Sequence, residues 1–460
     1  MKAACVILAA GLGKRMHSSV PKVLHRICGI PMLESVILSA RKIRPEKIII
    51  VAGSHIGLIK ETISSGGLSY ALQKEARGTG HAVQCARPHL KDFKGEIIVL
   101  NGDTPLVGPT ALGMLLKLHR KDRNLISVLS FSAEDPANYG RILRSDSGQV
   151  ISIIEDKDAD EKQRLIKEVN SGVYVFSHRA LSLLDGLTAN RITGEYYLTD
   201  IVGAASRKGF KVSAYRIGSE MEFMGVNTRE ELARAADIMK KNIIKKWSDK
   251  GVTFIDSRSV FVHPEVSIGR DTVIYPNVCL EGPTAIGKGS TIYPNVRIHN
   301  SRIGSGTVIK DSTVIEDSVI KNKAAVGPFA HIRPGSEVGE EARIGNFVEL
   351  KKTTVGRGSK ASHLTYLGDA KIGKEVNIGA GTITCNYDGR KKHVTVIGDN
   401  VFVGSDSQLI APVKIGKGAY IGAGSTITSD VPAEALALSR TRQKNLEGWA
   451  KRKLKHKGQK

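Results

Sequence analysis

The run Ile268-Gly269-Arg270-Asp271-Thr272-Val273-Ile274-Tyr275-Pro276-Asn277-Val278-Cys279-Leu280-Glu281-Gly282-Pro283-Thr284-Ala285-Ile286-Gly287 decides the fold of the second half of the chain. An aliphatic residue returns every six positions, at Ile268, Ile274, Leu280 and Ile286, and the count continues through Ile292 and Ile298. A one-residue slip resets it to Ile303, Ile309 and Ile315. Another gives Ile320, Val326, Ile332, Val338, Ile344 and Leu350, and a last stretch holds Ile397, Val403, Leu409, Ile415, Ile421 and Ile427. A helix buries a face every ~3.6 residues and a half-buried strand every ~2, so a period of six fits neither alone. It fits a solenoid whose flat faces each contribute one inward aliphatic, with small residues turning the corners. Gly follows many of these positions, as at Gly269, Gly287, Gly304, Gly339, Gly404 and Gly416. Hexapeptide repeats of this kind are the signature of a parallel β-helix. The phase breaks between Ile378 and Ile397, around Thr382-Ile383-Thr384-Cys385-Asn386-Tyr387-Asp388-Gly389. An insertion in a regular stack leaves it as a loop, and loops often carry function.

Upstream the texture changes. Thr228 with Glu231 three residues on reads as a capping box. Leu232, Ala235, Ala236, Met239, Ile243 and Trp247 then recur at helical spacing, and Gly251 closes the segment. Before it, apolar runs at Ala4–Ala9, Lys47–Val51, Glu96–Leu100 and Leu125–Leu129 alternate with helical patterns such as Met32–Ile43 and Thr79–Ala86. That alternation predicts an α/β domain of parallel strands joined by crossover helices. The expected organisation is therefore an α/β domain over 1–227, a connector helix over 228–250, a β-helix over 251–438 and a basic tail over 439–460.

The bulk composition suits this plan. The chain has 460 residues, 41% hydrophobic and 25% charged, with a net charge of +23. No apolar stretch approaches the roughly 20 residues that span a bilayer, so no membrane insertion is expected. The opening Met-Lys-Ala-Ala-Cys-Val-Ile-Leu-Ala-Ala ends at Gly11 with a basic stretch and no cleavage site after it, and reads as a buried first strand rather than a signal peptide. Five scattered cysteines, without a Cys-x-x-Cys pair, argue against disulfides or zinc and suit a cytoplasmic protein. From Arg440 the tail carries nine Lys or Arg against one Glu. The basicity fits either a solvated surface or anionic small molecules. No nucleic-acid motif accompanies it, so no nucleic-acid partner is expected.

Leu8-Ala9-Ala10-Gly11-Leu12-Gly13-Lys14-Arg15-Met16 is a Gly-rich turn after the first strand. Such a turn either simply joins strand to helix or offers backbone N–H groups to a phosphate. Met16 stands where a dinucleotide fingerprint needs its third Gly, and Leu8 where a P-loop needs its first. Pro21-Lys22 adds a cation nearby. Asn101-Gly102-Asp103 closes the strand Ile97–Leu100, where α/β sheets present ligand residues, although an Asp there also serves as a turn or cap residue.

Together these segments resemble the sugar-nucleotide pyrophosphorylases, and Gln73, Gly78-Thr79-Gly80-His81-Ala82, Tyr139-Gly140-Arg141, Glu155, Asn170-Ser171-Gly172, Gly194-Glu195-Tyr196-Tyr197-Leu198-Thr199-Asp200 and Gly225-Val226-Asn227 narrow the match. Lys14 departs from that family's usual Thr or Ser. The fuller set, joined by Lys360-Ala361-Ser362-His363-Leu364-Thr365-Tyr366-Leu367-Gly368-Asp369 and Asn377-Ile378-Gly379-Ala380-Gly381-Thr382, resembles the bifunctional N-acetylglucosamine-1-phosphate uridylyltransferase/glucosamine-1-phosphate acetyltransferases across nearly the whole chain.

The resemblance implies a Rossmann-like nucleotidyltransferase domain and a left-handed β-helix, assembled as a homotrimer. It implies that Asp103 and Asn227 hold Mg²⁺, and that Leu8, Ala9, Ala10, Gly11, Gln73, Gly78 and Thr79 grip the uridine of UTP, with Asn101 and Gly102 beside them. Arg15 and Lys22 would neutralise the triphosphate, and Gly140, Glu155 and Asn170 would hold the sugar. In the solenoid, His363 would be the general base, its ring oriented by Glu349. Arg333, Lys351, Tyr366 and Asn377 would bind glucosamine 1-phosphate. Ala380, Asn386, Tyr387, Ser405, Ala423 and Arg440 would line the acetyl-CoA site. The competing reading is a pyrophosphorylase for another sugar phosphate whose solenoid only assembles subunits.

Overall fold

The computed structural model describes residues 2–11, 13–191 and 193–455. Leu12 of the Gly-rich turn and residues 456–460 of the expected tail lie outside the described residues. The chain divides into two compact units, Met1–Asn242 and Ile243–Lys460, and the division falls inside a 20-residue helix, Arg229–Ser248.

The N-terminal unit is built on a nine-stranded sheet: β1 (Ala3–Leu8), β2 (Lys47–Ala52), β3 (Ser69–Leu72), β4 (Glu96–Asn101), β5 (Ile126–Ser132), β6 (Arg141–Arg144), β7 (Val150–Ile154), β8 (Glu168–Ser177) and β9 (Val212–Arg216). The main path runs β9-β5-β8-β4-β1-β2-β3, with β6 bridging β8 and β7. The opening apolar run is thus a central strand, paired in parallel with β2 and β4. Ala4 to Ile7 are fully buried, as a strand covered on both faces requires. Helices α1 (Met32–Lys42), α2 (Thr79–Ala86), α3 (Pro109–Asp122) and α4 (Asp200–Arg207) supply the covering layers.

Two expectations need correction here. The sheet is mixed rather than all parallel, because β8 runs antiparallel to both β4 and β5. No long crossover helix links β5 to β8. The chain passes instead through the β6–β7 hairpin and one short helix, Glu161–Arg164, and a hairpin excursion returns the chain antiparallel. The Gly-rich turn also leads into a short 3-10 turn at Lys14–Met16 rather than directly into an α-helix. The first α-helix starts at Met32.

The long helix starts as the sequence prescribes. Glu231 donates its backbone N–H to the Thr228 hydroxyl at 3.1 Å, and its carboxylate accepts from the Thr228 N–H at 3.0 Å. A reciprocal cap of this kind satisfies N–H groups that would otherwise be orphaned at the helix start.

The C-terminal unit is a parallel β-solenoid. One face can be followed through the pairs Ile268↔Ile286, Ile286↔Ile303, Ile303↔Ile320, Ile320↔Val338, Val338↔Val355, Val355↔Ile372, Ile372↔Ile397 and Ile397↔Ile415. The paired numbers differ by 18 or 17, and by 25 only at Ile372↔Ile397. The one-residue slips in the six-residue phase are therefore 17-residue coils, and the phase break is a longer coil. Every aliphatic of the six-residue series is buried.

Corner packing explains the small residues. Ser290 donates to the carbonyl of Gly287 at 3.1 Å or of Gly304 at 3.0 Å, and Ser359 to that of Gly373 at 2.7 Å, so these interior hydroxyls are satisfied as burial demands. A Cβ added at Gly269 would lie 2.4 Å from the Lys288 nitrogen of the next coil. Glycine stands there because stacked corners approach too closely for any side chain.

Candidate active sites

In the N-terminal unit a cleft of about 250 Å³ opens beside the C-terminal ends of β1 and β4. Of the residues expected to form a site, Leu8, Thr79, Asn101, Asp103, Gly140, Glu155, Asn170 and Asn227 line it, together with Tyr139, Tyr174 and Thr199. Ala9, Ala10, Gly11, Arg15, Lys22, Gln73, Gly78 and Gly102 are not part of this lining. Lys22 and Gly102 flank it directly: Gly102 donates its N–H to the Leu8 carbonyl at 2.8 Å, and Lys22 bonds to Asp103. Ala9 donates to the Val51 carbonyl at 2.7 Å, Gly11 and Arg15 are exposed, Gln73 directly follows β3, and Gly78 precedes the first residue of α2.

Asp103 and Asn227 converge although 124 positions separate them in the sequence. The Val226 N–H donates to the Asp103 carbonyl at 2.9 Å, which sets the two side by side. Lys22 reaches both: its ammonium bonds to the Asp103 carboxylate and to the Asn227 amide oxygen, the latter at 2.8 Å. A carboxylate and an amide oxygen focused on one cation are the donor chemistry of a hard divalent ion such as Mg²⁺, so the residues fit that group. Gly13 makes room for Lys22, whose Cβ would be 2.4 Å from a Cβ there.

The far side of the cleft rests on a bulge. The register of β8 against β5 shifts between Asn170 and Tyr174. Asn170 donates to the Tyr174 hydroxyl at 2.7 Å and accepts from the Gly172 N–H at 2.9 Å. Gly172 has φ +79°, and a Cβ on it would strike the Asn101 amide at 2.2 Å, so only glycine lets Asn101 enter. Glu155 accepts from the Thr199 hydroxyl at 2.9 Å. Burial pushes its carboxyl above the ordinary range, Thr199 opposes the shift, and Asp200, Asp158 and Glu195 add to it. A carboxyl held toward its neutral form can donate as well as accept a hydrogen bond.

In the C-terminal unit the functional groups sit on the outer faces of two nine-residue strands, Arg343–Lys351 and Lys360–Gly368. These pair in parallel with Asn346 opposite His363 and Glu349 opposite Tyr366. The expected orientation of His363 by Glu349 is corrected here. Glu349 accepts from Arg333 at 2.7 Å, whereas His363 Nδ1 lies 2.6 Å from Asn346 Oδ1. A carbonyl oxygen only accepts, so Nδ1 carries a proton, and in the neutral imidazole the lone pair then lies on Nε2. Lys351 pairs with Asp369 at 3.2 Å, and the Asn386 amide donates to the same carboxylate at 2.5 Å. Lys392 was not foreseen. It lies against Lys351, which draws the Lys392 pKa down, while Lys351 is raised by the Lys392 contact and then by Asp369. Its signal in the sequence was its place in the insertion that breaks the six-residue phase.

The remaining residues form a column along one corner. The Asp406 N–H donates to the Ala380 carbonyl at 2.7 Å, Gly424 donates to Ser405 at 2.8 Å, and Arg440 reaches the Ala423 carbonyl at 2.8 Å. Tyr387 is exposed and donates to the Gly389 carbonyl at 2.8 Å. Asn377 is in register with Lys360 and Phe402. Among the described residues it does not join the Arg333–Lys351–Tyr366 group.

The chain matches the MobA-like NTP transferase domain over residues 5–191, the GMPPB C-terminal domain over 257–336 and the bacterial transferase hexapeptide (six repeats) over 395–429. It is similar over nearly its full length to proteins named bifunctional protein GlmU. The one from Thermodesulfovibrio yellowstonii is 49% identical, covering 98% of this chain and 99% of that protein. The Heliobacterium modesticaldum protein is 47% identical, covering 99% of each. That of Pelobacter propionicus is 47% identical, covering 97% of each.

Proposed function

The chain belongs to the family of the bifunctional protein GlmU, and from that premise we propose how its residues divide two transfer reactions between its two units. It is a bifunctional transferase that acetylates glucosamine 1-phosphate from acetyl-CoA and joins the N-acetylglucosamine 1-phosphate to UMP from UTP, making UDP-N-acetylglucosamine. The observation that carries the assignment is the pairing, on one chain, of an Asp103–Asn227–Lys22 cation centre with a His363 whose Nε2 is free to accept a proton.

In the N-terminal unit Asp103 and Asn227 hold Mg²⁺, which supplies charge neutralisation on the UTP phosphates. Leu8 to Gly11, Gln73, Gly78 and Thr79 hold uridine, with Asn101 and Gly102 beside them, and Gly140, Glu155 and Asn170 hold the sugar. A phosphate oxygen of N-acetylglucosamine 1-phosphate bonds to the α-phosphorus of UTP, and the bond to pyrophosphate breaks. Lys22 and Arg15 neutralise charge on the triphosphate. No protein nucleophile is required, because such transfers rest on positioning and electrostatics.

In the C-terminal unit Arg333, Lys351, Tyr366 and Asn377 bind glucosamine 1-phosphate, and Lys392 joins them. The sugar amine attacks the thioester carbonyl carbon, His363 Nε2 takes the amine proton, and CoA leaves as its thiol. Asn346 holds the reactive tautomer. Ala380, Asn386, Tyr387, Ser405, Ala423 and Arg440 line the acetyl-CoA site. A homotrimer is the proposed assembly, supported by an exposed corner on which Phe329 and Phe347 stack at 5.3 Å. Sedimentation should give three copies. A monomer with full acetyl transfer would contradict the assembly.

Replacing Asn346 tests the solenoid reading. Asn346→Leu should lower acetyl transfer roughly tenfold to a hundredfold, less than loss of the general base itself, and leave uridylyl transfer intact. Unchanged acetyl transfer would exclude Asn346 from the reaction.

A further inference from the structure

Gln73 follows β3 directly and is anchored by its own N–H, which donates to the Ala52 carbonyl at 2.9 Å. Its side chain is almost fully buried. The side-chain amide nitrogen lies 3.0 Å from the Gly78 carbonyl and 3.1 Å from His81 Nδ1. A carbonyl oxygen accepts only, so the Gly78 contact fixes which end of the amide is nitrogen. A primary amide has two N–H bonds, and both are taken here, one by Gly78 and one by the imidazole. His81 Nδ1 must therefore present its lone pair, which places the ring proton on Nε2, 3.8 Å from Cys85 Sγ. Burial raises the Cys85 thiol, which keeps it as a neutral partner for that N–H. The Tyr196 ring lies tilted to the imidazole, 6.4 Å between centroids. Among the described residues Gln73 Oε1 has no hydrogen-bond partner.

We propose that His81 is a positioning residue that makes Gln73 a pure acceptor and thereby selects the base. This rests on the reading of Gln73 as a uridine contact. With both N–H groups spent, Gln73 offers a base only a carbonyl oxygen. Uracil N3 carries a hydrogen and donates to it. Cytosine N3 carries a lone pair at the same place, so a CTP base would set acceptor against acceptor. Without the imidazole the amide nitrogen is held by the Gly78 carbonyl alone, one of its two restraints is gone, and turning to present N–H to cytosine costs one hydrogen bond instead of two. The discrimination lies in the hydrogen-bond valence of one amide, and the residue that spends its last N–H never touches the nucleotide.

The test compares UTP with CTP in the uridylyl reaction of the full-length protein, using the variants His81→Leu, His81→Asn and Gln73→Ala. Asparagine presents an acceptor oxygen where the imidazole presents Nδ1. His81→Leu should raise the KM for UTP and lower the UTP-over-CTP preference roughly tenfold or more, a part of the discrimination that a site built for a hydrogen bond can reach. Its kcat at saturating UTP should change by less than about threefold, because binding rather than the transition state is altered. His81→Asn should keep most of the preference. Gln73→Ala should abolish it. If Gln73→Ala leaves the preference unchanged, Gln73 is not the base contact and the underlying reading fails. If Gln73→Ala abolishes it while His81→Leu preserves it, Gln73 stands and the role of His81 is overturned. Equal loss in His81→Leu and His81→Asn would also overturn it, since the acceptor would then not be what matters.

Discussion

The two units build their sites on opposite principles. In the sheet unit the site lies at strand ends and is held from behind by the bulge at Asn170–Tyr174, the glycine at 172 and the Val226-to-Asp103 backbone hydrogen bond that sets Asn227 beside Asp103. In the solenoid the core is a repeating aliphatic stack that carries no chemistry, and the functional side chains decorate its outside. His363 and Tyr387 are exposed there, and Lys351 and Asn386 are tied to a single carboxylate. A sheet site is thus folded along with its core. A solenoid site is added to a core that would be the same without it. Damage to the core should therefore be felt differently in the two units, and damage to one site should not reach the other.

The largest effect tests that independence. Asp103→Ala should reduce uridylyl transfer about a thousandfold or more, since the reaction rests on charge neutralisation at the phosphates, and leave acetyl transfer within about twofold. His363→Ala should lower acetyl transfer roughly a hundredfold to ten-thousandfold and spare uridylyl transfer. Assaying both half-reactions on each variant checks this, and a variant that loses both breaks the comparison.

A smaller effect tests the two cores. Ile332, in the fully buried series of the solenoid, should cost about 2–5 kcal/mol when replaced by alanine, because a cavity remains. Calorimetry should show a solenoid transition at lower temperature while the sheet transition and uridylyl transfer hold. If both transitions move together, the two units do not unfold independently.

The smallest effect separates the units by pH. His119 in the sheet unit is buried, bonds to the Ser127 hydroxyl at 2.9 Å, and has its pKa lowered to about 4, chiefly by burial. The unfolded chain takes up that proton near the ordinary histidine value, and the folded chain only near 4. Stability of the sheet unit should therefore fall as pH drops from about 6.5 to about 4, by at most ~1.4 kcal/mol per pH unit for one proton. His119→Gln should remove that part of the slope from urea midpoints of the sheet transition and leave the solenoid transition unaltered. An unchanged slope would mean that other groups carry it.

How far the sequence was legible follows the same division. The solenoid was readable because each coil repeats one local rule, and even the one-residue slips at Ile303 and Ile320 proved to be 17-residue coils. The series was not followed residue by residue through Val355, Ala361, Leu367 and Ile372, where two further one-residue slips and an alanine at 361 weaken the aliphatic signal. The antiparallel β8 was missed because strand direction depends on how distant segments pair, which an apolar run such as Val173–Phe176 does not encode. Most of the nucleotide-site residues were named by resemblance, and eight of them line one cleft. The partner of His363 was misjudged: Glu349 has the right chemistry, but the coil register sets it opposite Tyr366 and puts Asn346 opposite the imidazole. For Lys392 the sequence offered only its place in the phase-breaking insertion, because its closeness to Lys351 comes from the fold of the long coil rather than from spacing.

The central claim is that one chain performs both transfers. Purified protein incubated with glucosamine 1-phosphate, acetyl-CoA, UTP and Mg²⁺, with products identified by mass, tests it most directly. The account predicts free CoA, pyrophosphate and UDP-N-acetylglucosamine, with N-acetylglucosamine 1-phosphate accumulating when UTP is left out. Glucosamine 1-phosphate recovered without acetylation, while the protein joins UMP to some other sugar phosphate, would contradict it and leave the solenoid as a device for assembly alone.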